Sequence, residues 1–187
     1  MRIHTGRLLL SPSNPLLAID PLDLQADLEA IGFIGDPLPD PGNAFLVGRN
    51  FLSLLTFAGC SVNLTLAPTT VGDPFTHIRL LGPWPRTALQ HGRNTRPPRC
   101  TACRALHQGW AQELTSNSEI MELSCPACGS AQPPWEWDWR NKAGYGRNFI
   151  AVEEVFPGEA EPTPSLLRAL ETMAGPWRHF YIQDSTT

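Results

Sequence analysis

The chain of 187 residues suits one domain, or one domain with a small inserted module, and it is long enough to bury a core without disulfide support. Hydrophobic residues make up 42% and charged residues 17%, a balance that excludes wholesale disorder, while 19 prolines and 15 glycines predict short elements and many turns. No apolar run reaches the roughly 7–15 residues of a signal peptide or the about 20 of a membrane helix, so we expect a cytosolic protein with no membrane partner.

The first half of the chain predicts one short helix, one buried helix and two strands. Residues 21–32 predict the short helix, because leucines recur along it and Gly32 stands at its end. Residues 43–60 are densely apolar, which favours a mostly buried helix. Residues 62–68 alternate with period two and predict a strand, and residues 75–83 predict a second strand that pairs beside it.

The end of the chain predicts strand, helix and strand. Residues 148–156 and 177–184 have the composition of strands. Between them, residues 163–175 predict a helix with Thr163 as its N-cap, proline in its first turn and Gly175 at its end. Together these elements predict an α+β fold with a small mixed sheet and two or three helices.

Two C-x-x-C pairs, separated by 21 residues, hold four of the five cysteines: Cys100, Cys103, Cys125 and Cys128. In a reducing compartment such pairs indicate metal or redox chemistry. A hairpin of "GWAQEL" and "EIMELS" around a polar turn would bring the two pairs together. Four thiolates at about 2.3 Å then form a soft tetrahedral cage that suits zinc.

The second pair, in "CPACG", resembles the knuckles of zinc-ribbon and rubredoxin-like proteins, in which Gly129 would adopt a positive φ. The first pair, in "CTACR", has Arg104 where glycine is favoured, which predicts a strained or differently shaped turn. The resemblance covers about residues 98–130 and does not extend to the rest of the chain. We expect a single α+β domain of residues 1–187 into which this zinc ribbon is inserted. Iron, two disulfides and two separate redox pairs stay open as alternatives. Four protein thiolates leave no open position, so the zinc is predicted to be structural.

Arginines are concentrated before the first cysteine pair and directly after it. Residues 74–112 hold six arginines and no acidic residue, although the whole chain has a net charge of −4. The segment 79–104 therefore suits an anion-binding or nucleic-acid-binding face, with Trp84 and Trp110 available to stack on bases. The alternative is that the arginines pair with acidic flanks or neutralise the zinc tetrathiolate. The residues predicted to bind an anion are Arg86, Arg93, Arg96 and Arg99.

Three further features have two interpretations each. The alternating tryptophans of "PPWEWDWR" would form an exposed protein-binding face on a strand, but packing against the core is favoured. Cys60 is predicted to be a small core residue, with a nucleophile as the alternative. His107 is close enough to the first pair to replace a ligand, although four cysteines already complete the shell.

These features favour a cytosolic zinc-containing binding or adaptor protein with a protein partner. The second hypothesis is a nucleic-acid-associated protein that uses segment 79–104 beside the ribbon. An enzyme of unknown type is the third and least favoured hypothesis, because no acid, base and nucleophile converge on one motif.

Overall fold

The computed structural model describes residues 6–39, 42–58, 64–68, 70, 73–116, 121–156 and 158–183. It confirms the α+β class, with four helices in the described residues where two or three were predicted. The elements are, in chain order, β1 (Arg7–Pro12), α1 (Pro21–Ala30), β2 (Ile34–Pro37), β3 (Ala44–Val47), α2 (Phe51–Leu54), β4 (Leu55–Phe57), β5 (Ile78–Leu81), β6 (Ala88–His91), α3 (Trp110–Ser116), β7 (Leu123–Ser124), β8 (Ala131–Gln132), β9 (Ala143–Gly146), β10 (Phe149–Glu153), β11 (Ala160–Pro162), α4 (Pro164–Ala174) and β12 (Trp177–Ile182).

Six strands form the main sheet, in the order β12-β1-β10-β5-β3-β2. Every described pairing within it is antiparallel. A mixed sheet was predicted, but side-chain alternation is the same in both strand directions and so does not encode the direction. Three two-stranded pairings, β11 with β4, β6 with β9 and β7 with β8, accompany this sheet.

Both faces of the main sheet are buried. On one face, Leu8 and Leu10 of β1 belong to a large cluster that includes the apolar sides of α1 and α4. On the other face, Leu9 packs with Phe149 and Phe180. Strand β1 was not predicted, because a strand buried on both faces shows as a run of leucines without alternation.

The structure confirms the two predicted helices that have capping residues and the two predicted strands at the end of the chain. Helix α1 begins after Asp20, whose Oδ1 accepts a hydrogen bond from the N–H of Leu22 (2.8 Å). Helix α4 begins after Thr163, whose Oγ1 accepts from the N–H of Leu166 (3.2 Å). Gly175 ends α4, and strands β10 and β12 lie within the two strands predicted on either side of it.

The helix predicted over residues 43–60 is wrong, because the described part of this segment forms β3, the four-residue helix α2 and β4. A dense apolar run without a clear period suits buried strands as well as a buried helix. The strand predicted over residues 62–68 is also wrong, because residues 64–68 form no strand. Residues 62 and 63 lie outside the described residues. Strand β5 therefore pairs with β3 and β10 instead.

The hairpin predicted between the cysteine pairs is wrong in its first arm, which is helix α3. Alanine, glutamine, glutamate and leucine in this arm are good helix formers. Residues 117–120 lie outside the described residues. The second arm keeps only β7, which pairs with β8 on the far side of the second cysteine pair.

The outer edge of β12 is covered by the chain that surrounds the cysteine pairs. The side chain of Asn94 donates to the carbonyl of Tyr181 (2.9 Å) and accepts from the N–H of Gln183 (2.9 Å). The N–H of Tyr181 donates to the carbonyl of Asn141 (3.3 Å). These contacts satisfy backbone groups that an edge strand would otherwise expose. No helix in the described parts of the chain is long and apolar enough to cross a membrane.

Candidate metal centre

The four predicted cysteines come together. Their Sγ atoms all lie within 4.8 Å of one another. Across the two pairs, Cys100 Sγ lies 3.9 Å from Cys128 Sγ, and Cys103 Sγ lies 3.6 Å from Cys125 Sγ. Cys100 and Cys125 are buried, whereas Cys103 and Cys128 are exposed. The spacing of the cysteines was therefore a sufficient signal for this cluster.

The sulfur separations fit one tetrahedral metal ion. Bonds of about 2.3 Å at tetrahedral angles place neighbouring sulfur atoms about 3.8 Å apart, and the two cross-pair distances are 3.6 and 3.9 Å. A disulfide needs sulfur atoms about 2.05 Å apart, and all four cysteines are free thiols in the structure. The donor set and its geometry therefore fit a thiophilic metal.

Both cysteine pairs adopt the same turn. The N–H of Cys100 donates to the carbonyl of Ala105 (2.9 Å), and the N–H of Arg104 donates back to the carbonyl of Cys100 (2.9 Å). The second turn repeats this pattern between Cys125 and residues 129 and 130 (2.9 and 2.8 Å). The β-bridges that flank the two turns are also equivalent: Arg99 pairs with Leu106, and Ser124 pairs with Ala131.

The first turn keeps its shape although arginine replaces glycine. Arg104 has φ 66° and Gly129 has φ 73°, so both occupy the left-handed region. The guanidinium of Arg104 pairs with Asp138 Oδ2 (2.9 Å), while Asp138 Oδ1 accepts from the N–H of Arg140 (3.0 Å). Asp138 also exchanges backbone hydrogen bonds with Arg99 (both 3.0 Å). The spacing of the cysteines does not reveal this support, because Asp138 lies 34 positions after Arg104.

The pKa values of Cys125 and Cys128 shift in opposite directions. Burial raises the pKa of Cys125, but the N–H groups of Ala127 and Cys128, together with neighbouring thiols, lower it to about 7. The N–H of Ser130 lowers the pKa of Cys128, whereas the Cys103 thiol, loss of water and the other thiols raise it to about 12. Closely spaced thiolates repel one another, so the first to ionise hinders the others. A bound divalent cation would remove that repulsion.

An aromatic cluster packs against the two buried cysteines. Trp137 and Trp139 are 3% and 5% exposed, which supports core packing over an exposed tryptophan face. Trp110 of α3 meets Trp139 edge to face, with ring centroids 5.2 Å apart, and Trp139 lies 6.0 Å from Tyr145 of β9. We call Trp110, Trp137, Trp139 and Tyr145 the aromatic cluster.

The remaining predicted residues have mixed outcomes. Arg86, Arg93 and Arg96 are exposed, but Arg99 is half-buried, and its Nε is enclosed without a hydrogen-bond partner. Anion binding by these four arginines stays a prediction. His107 is buried outside the cysteine cluster, with Nε2 3.4 Å from Glu113 Oε1. The prediction for Cys60 falls outside the described residues.

Comparison of the chain with protein-family models, with curated proteins and with solved structures finds no match. The geometry of the cysteine cluster therefore carries the functional argument by itself.

Proposed function

We propose that this chain is a binding or adaptor protein in which the four clustered cysteines hold one structural zinc ion. The observation that carries the metal part is the approach of all four Sγ atoms to within 4.8 Å, at separations that suit a tetrahedral thiolate site. Iron in the same cage is the alternative, and it has the same requirement for four sulfur ligands.

A structural role follows from the closed shell of ligands. Four protein thiolates occupy every position of a tetrahedral ion and leave none for water or substrate. Zinc, when bound, would cross-link the two cysteine turns and offset part of the charge of their thiolates. Because Cys100 and Cys125 are buried beside the aromatic cluster, this cross-link would hold a segment rich in proline and arginine against a small core.

Two exposed apolar side chains support a protein partner. Leu106 follows the first turn and is 39% exposed, and Met121 precedes β7 and is 60% exposed. Both side chains offer apolar contact area, and methionine is enriched in the buried cores of protein interfaces. We propose that the partner contacts the chain through these residues.

Elemental analysis of the full chain tests the metal part. We expect about one zinc per chain after exhaustive dialysis, both in the wild type and in Cys60→Ser, and almost none in Cys125→Ser. Cys60→Ser is the matched control, since it removes a thiol outside the two C-x-x-C pairs. Iron in place of zinc, or under about half an equivalent of zinc, would contradict the assignment.

Capture from native lysate tests the partner part. A tagged wild-type chain and a Leu106→Ser/Met121→Ser variant with unchanged zinc content would be compared, and both protein and nucleic acid would be identified. We expect a protein that the variant fails to retain. Equal retention by both chains would show that these two side chains do not form the contact.

A further inference from the structure

A cavity of about 190 Å³ lies where the chain after the second cysteine turn meets the edge strand β12. Residues 137–141 and Ala143 line one side, and Arg178, His179 and Phe180 line the other. The cavity is smaller than a site for a drug-sized ligand, which has about 300–1,000 Å³, but it has room for a small molecule. It does not involve the cysteine cluster.

The guanidinium of Arg178 is half-buried, and its partners among the described residues are neutral. Its Nε donates to Ser11 Oγ (3.3 Å), and its Nη2 donates to the carbonyl of Tyr145. Both acceptors are neutral, and no carboxylate among the described residues lies within ion-pair distance of it. Burial lowers the pKa of Arg178, which reflects the cost of keeping the cation away from water. A half-buried cation with neutral partners is stabilised by an anion.

A second arginine, Arg140, lines the cavity on an unusual backbone. Arg140 and Asn141 have φ values of 51° and 54°, so two consecutive residues other than glycine occupy the left-handed region. Such a pair is strained, and strain of this kind concentrates at functional sites. Arg140 is exposed, and its described side-chain contact is a long hydrogen bond to the carbonyl of Pro97 (3.4 Å).

The acidic side chain at the cavity is already engaged. Asp138 pairs with Arg104 (2.9 Å) and accepts from the N–H of Arg140 (3.0 Å). The charge of Asp138 is therefore matched by Arg104, and the two arginines of the lining have no ion pair with Asp138 among the described contacts.

The edge of β12 adds backbone donors and acceptors. Tyr181 directs its N–H and carbonyl away from β1, toward Asn141 and Asn94. Antiparallel strands alternate this direction with every residue, so His179 also directs its backbone groups to the outer edge, where the cavity lies. The indole rings of Trp137 and Trp139 and the ring of Phe180 supply the apolar part of the lining.

We infer that this cavity binds a small organic oxyanion, a carboxylate or phosphate on an apolar body. Arg178 and Arg140 bind the oxygen atoms, because the guanidinium fork matches both groups. The aromatic rings contact the body of the ligand. This inference does not depend on the metal or on the partner proposed above.

Calorimetric titration of the full-length zinc protein with benzoate, phenyl phosphate and neutral benzamide tests the inference. We expect both anions to bind, and the tighter of the two identifies the preferred oxyanion. In NMR spectra, the two anions should shift the backbone amide signals of Trp137, Trp139 and His179 and the indole N–H signals of the two tryptophans. Benzamide should leave these signals in place. Benzamide binding as tightly as the anions, or no binding of either anion at about 10 mM, would overturn the inference.

Arginine variants localise the binding. Arg140→Ala should weaken anion binding about tenfold or more. Arg178→Lys should weaken it by a similar factor, because lysine lacks the forked guanidinium that binds two oxygen atoms at once. Arg168→Ala is the matched control, because Arg168 is exposed on α4 and should leave affinity unchanged within about twofold. If Arg178→Lys fails to fold, Arg140→Ala still decides the matter. Equal affinity in Arg140→Ala and Arg168→Ala would refute the assigned site.

Discussion

Arg104 and Gly129 occupy equivalent positions in the two cysteine turns and have nearly the same φ, 66° and 73°. A residue with a side chain costs about 1 kcal/mol in this region relative to glycine. No atom lies within 4 Å of a Cβ added to Gly129, so Gly129→Ala should lower the free energy of unfolding by about that backbone cost alone. Urea unfolding of the wild type and the variant measures this difference in stability.

The same backbone cost can be isolated at Arg104. Arg104→Gly and Arg104→Ala both lose the ion pair with Asp138, a surface pair that contributes about 0.2–1 kcal/mol. The glycine variant should therefore be about 1 kcal/mol more stable than the alanine variant. Equal stability of the two variants would mean that the turn does not hold Arg104 in the left-handed region.

His179 should make the stability of the fold depend on pH. Burial lowers the pKa of His179 below its ordinary value of 6.5, and the nearby charge of Glu161 partly opposes this. The unfolded chain thus takes up a proton at a higher pH than the folded chain, so the free energy of unfolding decreases as the pH falls below about 6.5. His179→Gln should flatten this decrease, and Glu161→Gln should steepen it. Urea unfolding between about pH 7.5 and 5.5 tests both, with zinc content recorded at each pH.

At the residue scale, the cluster of four cysteines could be predicted from the sequence, but the contacts that support its turns could not. Two C-x-x-C pairs place two sulfur atoms in each turn, so local spacing is enough. Asp138 lies 34 positions after Arg104, and only the folded chain brings the two together. The alternation of the three tryptophans suggested a strand, but a 3-10 turn at Pro134–Glu136 interrupts it.

Among the elements, edge strand β12 depends on the loop that carries Asn94. Its side chain makes two hydrogen bonds to β12, at 2.9 Å each, and a net hydrogen bond contributes about 1 kcal/mol. Asn94→Ala should therefore lower the free energy of unfolding by about 2 kcal/mol and speed hydrogen exchange at the amide of Gln183. Asn14→Ala, which removes a local hydrogen bond at an exposed site, should change stability by under about 0.5 kcal/mol. Similar losses in the two variants would argue against a role for Asn94 at the edge.

The elements that were predicted correctly have ends marked by local chemistry. Helix α4 has Thr163 as its N-cap, a proline in its first turn and Gly175 at its C-terminal end. Each of these residues determines the backbone conformation within one turn of its own position. Strands β1, β3 and β4 were missed because burial by distant elements, and not a local period, determines their conformation. Helix α3 was missed because a hairpin between the cysteine pairs explained the approach of the turns equally well.

At the scale of the whole molecule, charge argues against a nucleic-acid partner. Of the six arginines in residues 74–112, Arg79 pairs with Glu153 (3.7 Å) and Arg104 pairs with Asp138 (2.9 Å). The net charge is −4, which repels a polyanion. We therefore expect no binding of a labelled oligonucleotide in fluorescence anisotropy, even at low salt. Binding that weakens with salt, at a log–log slope of about −0.7 to −0.9 per phosphate, and that an Arg86/Arg93/Arg96/Arg99→Ala variant abolishes, would reverse this expectation.

Loss of the metal should affect one part of the molecule. Cys100 and Cys125 pack in one small hydrophobic core together with the aromatic cluster. This core is separate from the two hydrophobic cores that cover the faces of the main sheet. Zinc contributes about 10–16 kcal/mol to folding in small modules that have no other core. In Cys125→Ser, hydrogen exchange should therefore rise from about residue 97 to residue 145, beyond the 98–130 that the resemblance implied.

The sheet should remain protected in the same experiment, since β1, β10 and β12 are held by their own pairing and by buried leucines and phenylalanines. The exception is the amide of Gln183, because its partner Asn94 lies in the loop that precedes the first cysteine turn. Cys60→Ser, which keeps both C-x-x-C pairs, controls for the loss of a thiol. Exchange that rises equally in β1 and β10 would show that the cysteine cluster and the sheet unfold as one cooperative unit, contrary to the insertion that the sequence predicts.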